Sequence, residues 1–469
     1  MRFARIGCAA AVLVVAMLGV PGPAGAVPPP GVDPGAIGLA LALSQNPAPL
    51  EPTEQKVQCA EPVLKGVPPR EPPVAQRVLN LPEAWQFSRG AGQRVAVIDT
   101  GVNRHPRLPG LQAGGDFVST TDGTEDCDGH GTIVAGIIGA QPSPGDAFVG
   151  VAPDAQVLTI RQLSLAYQVK NSAGGNQVPG AITGTGYGNV LTLAAAIVRA
   201  TDMGATVINI SEVACTPAGA DTADGTLGAA VKYAFDHNVV VVAAAGNLQQ
   251  DGACQVQNSG SGWSDVQTIS SPAWFDKYVL SVASIDPTGA TSELTLRGPW
   301  IGVAAIGRQI TSLDSKRGGT GLIDAVQTRE GPHDIEGTSF AAPYVSGLAA
   351  LVRARFPELN AAQVIDRIER TAHGPGTGRD DGVGHGLIDL VAALTAQLPA
   401  QPVNPAATVR HDIPAPYVPP APDPRPRRWA IIGSTASVAV LGIGALVAIP
   451  FRRRHSDHEI DQSLLDSER

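Results

Sequence analysis

Five short runs constrain the fold more than any other feature of the chain. They are Arg94-Val95-Ala96-Val97-Ile98, Gln156-Val157-Leu158-Thr159-Ile160, Ala205-Thr206-Val207-Ile208-Asn209, Val239-Val240-Val241-Val242-Ala243 and Tyr278-Val279-Leu280-Ser281-Val282. Each is rich in β-branched residues and apolar on both parities. A strand with one wet face alternates apolar and polar residues. These runs do not alternate, so both faces are covered, as in a parallel sheet. Helical patterns over 130–139, 190–203 and 226–237 lie between them. Strand–helix–strand order predicts an α/β domain, doubly wound and mostly parallel, with helices on both faces. This alternation fills residues 79–398.

The flanks read differently. Residues 27–82 hold 13 prolines in 56 positions, so the arm over 27–78 is expected to be extended and hardly helical. Residues 399–428 hold ten prolines in 30 and read as a semi-rigid spacer. At the start, Arg2 and Arg5 precede an apolar stretch and Ala24-Gly25-Ala26, the pattern of a signal peptide over 1–26. Residues 429–449 carry no charge. As a helix they would extend about 31 Å, the thickness of a bilayer core. Arginines flank the span on both sides, which leaves the positive-inside rule nearly balanced. The signal peptide decides the orientation. The body is exported, a single C-terminal transmembrane helix anchors it to the cell membrane, and the tail 450–469 stays in the cytoplasm.

Composition excludes other classes. At 43% apolar the chain is not globally disordered. The net charge is −9 and no Lys/Arg stripe runs through the body, so no nucleic-acid partner is expected. Cys8 leaves with the signal peptide, and Cys59, Cys127, Cys215 and Cys254 remain. In an oxidising compartment these imply two disulfides, with three possible connectivities. No Cys/His cluster suggests a metal.

Three segments carry chemistry. In Val97-Ile98-Asp99-Thr100-Gly101 an acid ends a buried strand, where sites in open α/β sheets gather. In Asp128-Gly129-His130-Gly131-Thr132 a histidine opens a helix. The positive end of the helix dipole lowers a histidine pKa, favouring a neutral ring that accepts a proton. The flanking glycines would let a substrate backbone approach. In Gly337-Thr338-Ser339-Phe340-Ala341-Ala342-Pro343 a hydroxyl lies in the first turn of a helix whose Val345, Leu348, Val352 and Phe356 form one buried stripe. The Ser339 N–H has no intrahelical partner, and Pro343 denies the Ser339 carbonyl its usual donor.

An acid, a base and a hydroxyl in the order Asp, His, Ser complete a known triad order. With Asp99-Thr100-Gly101, His130-Gly131-Thr132 and Gly337-Thr338-Ser339-Phe340-Ala341-Ala342-Pro343, the chain resembles the subtilisin-like serine proteases over residues 79–398, and Gly150-Val151-Ala152-Pro153-Asp154-Ala155 also looks like that family. The resemblance implies a serine endopeptidase in which Ser339 attacks, His130 moves the proton and Asp99 orients His130. It also implies that Asn247, in Ala244-Ala245-Gly246-Asn247, supplies the oxyanion-hole amide. No cofactor is implied. Two departures stand out. The family usually continues Ser-Leu-Gly-Gly where this chain reads Ile210-Ser211-Glu212-Val213-Ala214, and the proline-laden arm does not look like the family's compact propeptide.

The whole layout is similar to the mycosins, the membrane-anchored subtilases of type VII secretion systems. That resemblance implies disulfides Cys59–Cys127 and Cys215–Cys254. The first would staple a retained arm beside His130. Loop-entropy arithmetic gives each bond about 4 kcal/mol. It also implies two roles: cleavage of secreted protein substrates, or a structural part that stabilises the secretion membrane complex. Residues 165–188 form a long polar loop, a candidate docking surface. His105 reads as a turn residue, and His333 receives no role.

Overall fold

The first strands of the computed structural model show why the apolar runs carry no alternation. Seven strands form one parallel sheet: β1 (Arg94–Asp99), β2 (Gln112–Asp116), β3 (Gln156–Arg161), β4 (Val207–Ile210), β5 (Val240–Ala244), β6 (Val279–Ile285) and β7 (Ile301–Ile306). Their order is β7-β6-β5-β4-β1-β3-β2. Every residue of β4, β5, β6 and β7 is buried, which requires cover on both faces. The structure describes residues 27–171, 182, 186–248, 254–376, 378–399, 434, 436, 437, 439–441 and 443. The chain divides into two units, 1–398 and 399–469. The sheet belongs to the first.

Five helices matter for the site: α1 (His130–Gly139), α2 (Val190–Asp202), α3 (Gly225–Asp236), α4 (Thr338–Arg355) and α5 (Ala361–Thr371). α1 packs on α4, α2 packs on α3, and both pairs contact the sheet. Asn189 starts α2 by accepting from the Leu191 and Thr192 amides at 3.0 Å each, which satisfies two donors that a helix start leaves open. α4 corrects one expectation. In place of a single buried stripe, every residue from Thr338 to Val352 is buried, so α4 is a central helix covered all round.

Two strands of this sheet were not anticipated. β7 is apolar throughout and was legible. β2, with sequence Gln-Ala-Gly-Gly-Asp, has no strand-like pattern and lies at the sheet edge beside β3.

The arm corrects the expectation of an extended, hardly helical segment. Residues 35–46 contain no proline, and they form a 3-10 turn, Pro34–Ile37, followed by a helix, Gly38–Ser44. Pro34 sits at the first turn, where a missing N–H costs nothing. Ala40 is fully buried against α2, and Arg199 of α2 donates to the Ser44 carbonyl at 2.9 Å. Further along, Thr53–Gln55 pairs antiparallel with Tyr167–Val169. Pro62–Val63 pairs with Ala325–Thr328. Disulfides join Cys59 to Cys127 and Cys215 to Cys254.

The Tyr167–Val169 strand also changes the reading of the 165–188 loop, because its first part is a pairing partner of the arm; most of the remainder lies outside the described residues. So do the expected signal peptide, nearly all of the spacer 399–428, and the tail 450–469. Of the expected span 429–449, seven residues are described, and they are helical. Among the described residues, no helix is long and apolar enough to cross a membrane.

Candidate active site

Parallel register brings the chemistry together. Ile98 of β1 pairs with Ile210 of β4, so the residues after both strands emerge at one edge of the sheet. Asp99 ends β1, and Ser211 and Glu212 follow β4. Ile210 in turn pairs with Ala243 of β5, and Asn247 follows that strand. All four residues therefore lie at the carboxyl edge, where open α/β sheets place their sites.

Asp99 Oδ1 lies 2.7 Å from His130 Nδ1. The same oxygen accepts from the Thr100 amide at 2.7 Å. Acting as acceptor, Asp99 places the imidazole proton on Nδ1 and leaves Nε2 facing away. Helix α1 can begin this close to β1 because residue 131 is glycine. A Cβ there would clash with the Gly101 carbonyl and touch Asp99. The glycines around His130 thus serve approach within the chain, which corrects their expected use for a substrate backbone. Gly129, at φ 77°, turns the chain into α1 beside Ser315.

Four acids surround this helix start. Asp126 is buried and accepts from the Thr132 amide, Thr132 Oγ1, the Gly129 amide and Thr100 Oγ1 at 2.7 to 2.9 Å. Burial pushes its carboxyl up to about 7, against the Thr132 hydrogen bonds. Asp128 accepts from Ser164 Oγ at 2.5 Å and the Leu165 amide at 2.8 Å, tying the loop after β3 to α1. Glu212 Oε1 lies 3.5 Å from His130 Nδ1. Burial works against a charged His130 ring, but the pull of Asp99 and Glu212 outweighs it and pushes the imidazole up to about 10. The expected lowering by the helix dipole is therefore overturned. The reason is that carboxylates at 2.7 and 3.5 Å outweigh a partial charge at a helix end.

The start of α4 is built from neutral groups. Asn247 Oδ1 accepts from the Thr338 amide at 2.9 Å and from Thr338 Oγ1 at 3.1 Å. This fixes the side-chain amide so that Nδ2 reaches Ser339 Oγ at 3.5 Å. Gly337, at φ 139°, permits the approach, since a Cβ there would sit 3.1 Å from Asn247 Nδ2. Ser211 Oγ donates to the Ser339 carbonyl at 2.8 Å, supplying the bond that Pro343 cannot make. Asn209 Nδ2 donates to Ser211 Oγ at 2.9 Å, and Ser346 Oγ donates to Asn209 Oδ1 at 2.8 Å. Sequence reasoning did not find this chain of side chains. Glu212 was seen only as a departure from the family pattern. Its signal was available, since a charge two residues past a buried strand beside β1 must emerge near Asp99.

Phe340 places its ring 4.9 Å from the His130 ring, which brings the start of α4 against the start of α1. Both residues line a pocket of about 360 Å³, together with Thr100, Leu163, Glu212 and, from the arm, Val57. Cys127 lines the same pocket, so the Cys59–Cys127 bond fastens the arm at its rim. His105 is buried and accepts from the Arg107 amide at 3.1 Å within its turn. His333 lies on the Gly331–Asp334 strand. The ligand atoms of Asp99, His130 and Glu212 lie within 4.8 Å of one another. Within this group His130 Nδ1 is engaged by Asp99 Oδ1 at 2.7 Å.

Residues 90–386 match the Subtilase family. The chain belongs to that family and is by that membership a serine endopeptidase. Within the family it groups with the mycosins. Mycosin-3 of Mycobacterium tuberculosis is 44% identical over 96% of this chain and 98% of that protein. The crystal structure of MycP1 from Mycobacterium smegmatis is 44% identical with a TM-score of 0.73, covering 80% of this chain and 97% of that one. A chain in the structure of an intact ESX-5 inner membrane complex is 40% identical with a TM-score of 0.74, covering 90% of this chain and 99% of that one.

Proposed function

We propose that the chain is a membrane-anchored endopeptidase of a type VII secretion system, cleaving secreted proteins outside the membrane with Asp99, His130 and Ser339. The observation that carries this reading is the 2.7 Å contact between Asp99 Oδ1 and His130 Nδ1, joined at one sheet edge by Asn247 Nδ2 on Ser339 Oγ. In the mechanism, Ser339 Oγ attacks the peptide carbonyl. His130 takes the hydroxyl proton on Nε2 and returns it to the leaving amine. Asp99 holds the Nδ1 tautomer and stabilises the imidazolium. Asn247 and the Ser339 N–H receive the oxyanion, and water repeats the cycle to release the acyl group. Among the described residues, the one hydrogen-bonding contact of Ser339 Oγ is the long 3.5 Å approach of Asn247 Nδ2, and none joins it to His130. Catalytic contacts of this kind commonly tighten when substrate binds.

A fluorophosphonate probe tests the chemistry. The wild type is expected to label at Ser339, and Ser339→Ala is expected not to label. Absence of labelling in folded wild type at every pH would remove the reading. New N-termini in the secreted proteins of wild type, compared with Ser339→Ala, then identify the substrates.

The similar chain in the ESX-5 inner membrane complex favours a second role, as a part that stabilises such a complex. Secretion that survives Ser339→Ala but fails on deletion of the protein supports it. Equal failure in both strains counts against it.

A further inference from the structure

Glu212 has no part in the triad, yet its carboxylate faces the triad's base. Oε1 lies 3.5 Å from His130 Nδ1, the nitrogen that Asp99 Oδ1 contacts at 2.7 Å. The placement is built into the sheet: Glu212 follows β4 by two residues, and β4 lies in register beside β1. Its side chain is 24% exposed and lines the pocket beside His130. Among the described residues, His130 is the one cationic group within ion-pair reach of Glu212.

Nδ1 carries one proton, and Asp99 receives it. At 3.5 Å Glu212 is too far for a good hydrogen bond and acts as a charge once ionised; burial, against the pull of His130, pushes its carboxyl up to about 7, so it acts on the ring above that pH. A protonated ring relieves the repulsion between two carboxylates that converge on one nitrogen, and a neutral ring does not. The other carboxyl acting on the ring is Asp126, itself pushed up to about 7, from the turn before α1; Asp128 of the same turn acts on Glu212, and Arg161 acts on Asp128. α4 contributes the uncharged Phe340, and the arm contributes the uncharged Val57 and Gln58.

We propose that Glu212 is a positioning residue for the base: a second negative charge at His130 Nδ1 that moves the onset of Ser339 reactivity to more alkaline pH than Asp99 alone would set. The proposal rests on the catalytic reading above. The protonated His130 cannot take the Ser339 proton, so reactivity rises only as the ring loses its charge.

The test is the fluorophosphonate labelling rate of the full chain as a function of pH, in wild type, Glu212→Gln and Glu212→Asp. The acid limb of wild type is expected well above the ordinary imidazole range. Glu212→Gln is expected to lower its midpoint by about one pH unit or more, raising the rate on that limb about tenfold. Glu212→Asp, which keeps the charge, is expected to fall between the two. A merely structural role would lower the rate at every pH without moving the midpoint, and an unmoved midpoint in Glu212→Gln overturns the proposal. The His130 Nδ1–H proton resonance, assigned by its loss in His130→Gln, gives a reading that needs no labelling. A wild-type titration above the ordinary range that falls in Glu212→Gln supports the proposal, and a wild-type titration near that range, or one that Glu212→Gln leaves unmoved, overturns it. Wild type that never labels instead removes the catalytic reading, so the two failures are separable.

Discussion

The helix that carries His130 and the helix that carries Ser339 both start from a glycine at positive φ, Gly129 at 77° and Gly337 at 139°. Both place the functional side chain within the first two residues. Their surroundings are opposite. Asp99, Asp126, Asp128 and Glu212 crowd the first start. At the second, Ser339 and Thr338 bond to uncharged Asn247 and Ser211, while Glu336, two residues ahead of the helix, is paired with Arg308 at 2.8 Å. The difference teaches a division of labour. Charge at α1 decides whether a proton is present. Neutral dipoles at α4 decide where an oxygen sits, and they do so without responding to pH.

That division can be broken by substitution. Asp99→Asn is expected to lower the labelling rate by about 10⁴-fold, because an amide supports the wrong His130 tautomer. A gain on the acid limb with no loss at high pH would instead show that Asp99 acts through charge alone. Asn247→Ala is expected to cost about 10²- to 10³-fold in turnover of a peptide substrate. Its pH midpoint should stay where wild type has it, and a shifted midpoint would merge the two ends into one electrostatic unit. Ser211→Ala leaves the Ser339 carbonyl and Asn209 Nδ2 unpaired in a buried site. Urea unfolding should show a loss of about 1–3 kcal/mol, equal at pH 6 and pH 9.

The smallest expected effect is a change of slope. The His130 pKa in the native protein, about 10, exceeds the free value of 6.5. The native state therefore holds this proton where the unfolded chain has lost it. The stabilisation is complete below pH 6.5 and is lost as pH rises through about 10. Glu212→Gln should flatten that alkaline decline by about 1 kcal/mol, read from urea midpoints across the window. An unchanged slope would remove Glu212 from the charge balance at α1.

The sheet was legible where burial leaves a compositional mark. The run from Val239 to Ala243 can pack only between two layers, and it became β5. β2 was illegible because the cover over Gly114 and Gly115 comes from Ile160, Pro47 and Arg199, residues distant in the sequence. In the arm, proline content hid the proline-free interval that became a helix. The motifs around Asp99, His130 and Ser339 announced themselves through their glycines and their order. The bonds that hold Ser339 did not, since Ser211 is 128 residues from Ser339 and Asn209 is 137 from Ser346. The protonation of His130 was misread for the same reason. A helix start is local, whereas Glu212 arrives from a neighbouring strand and is readable only once β4 is known to lie beside β1.

The Cys59–Cys127 bond has one more consequence. A single backbone cut anywhere between its two cysteines releases nothing, because the severed pieces stay linked through sulfur. Such a nick would be silent on a non-reducing gel and would yield two bands only after thiol treatment. Trimming on the amino side of Cys59 must instead strip away a paired strand, Thr53–Gln55, and a docked helix, Gly38–Ser44. Maturation by clipping and physical loss of the arm are, in this molecule, separate events.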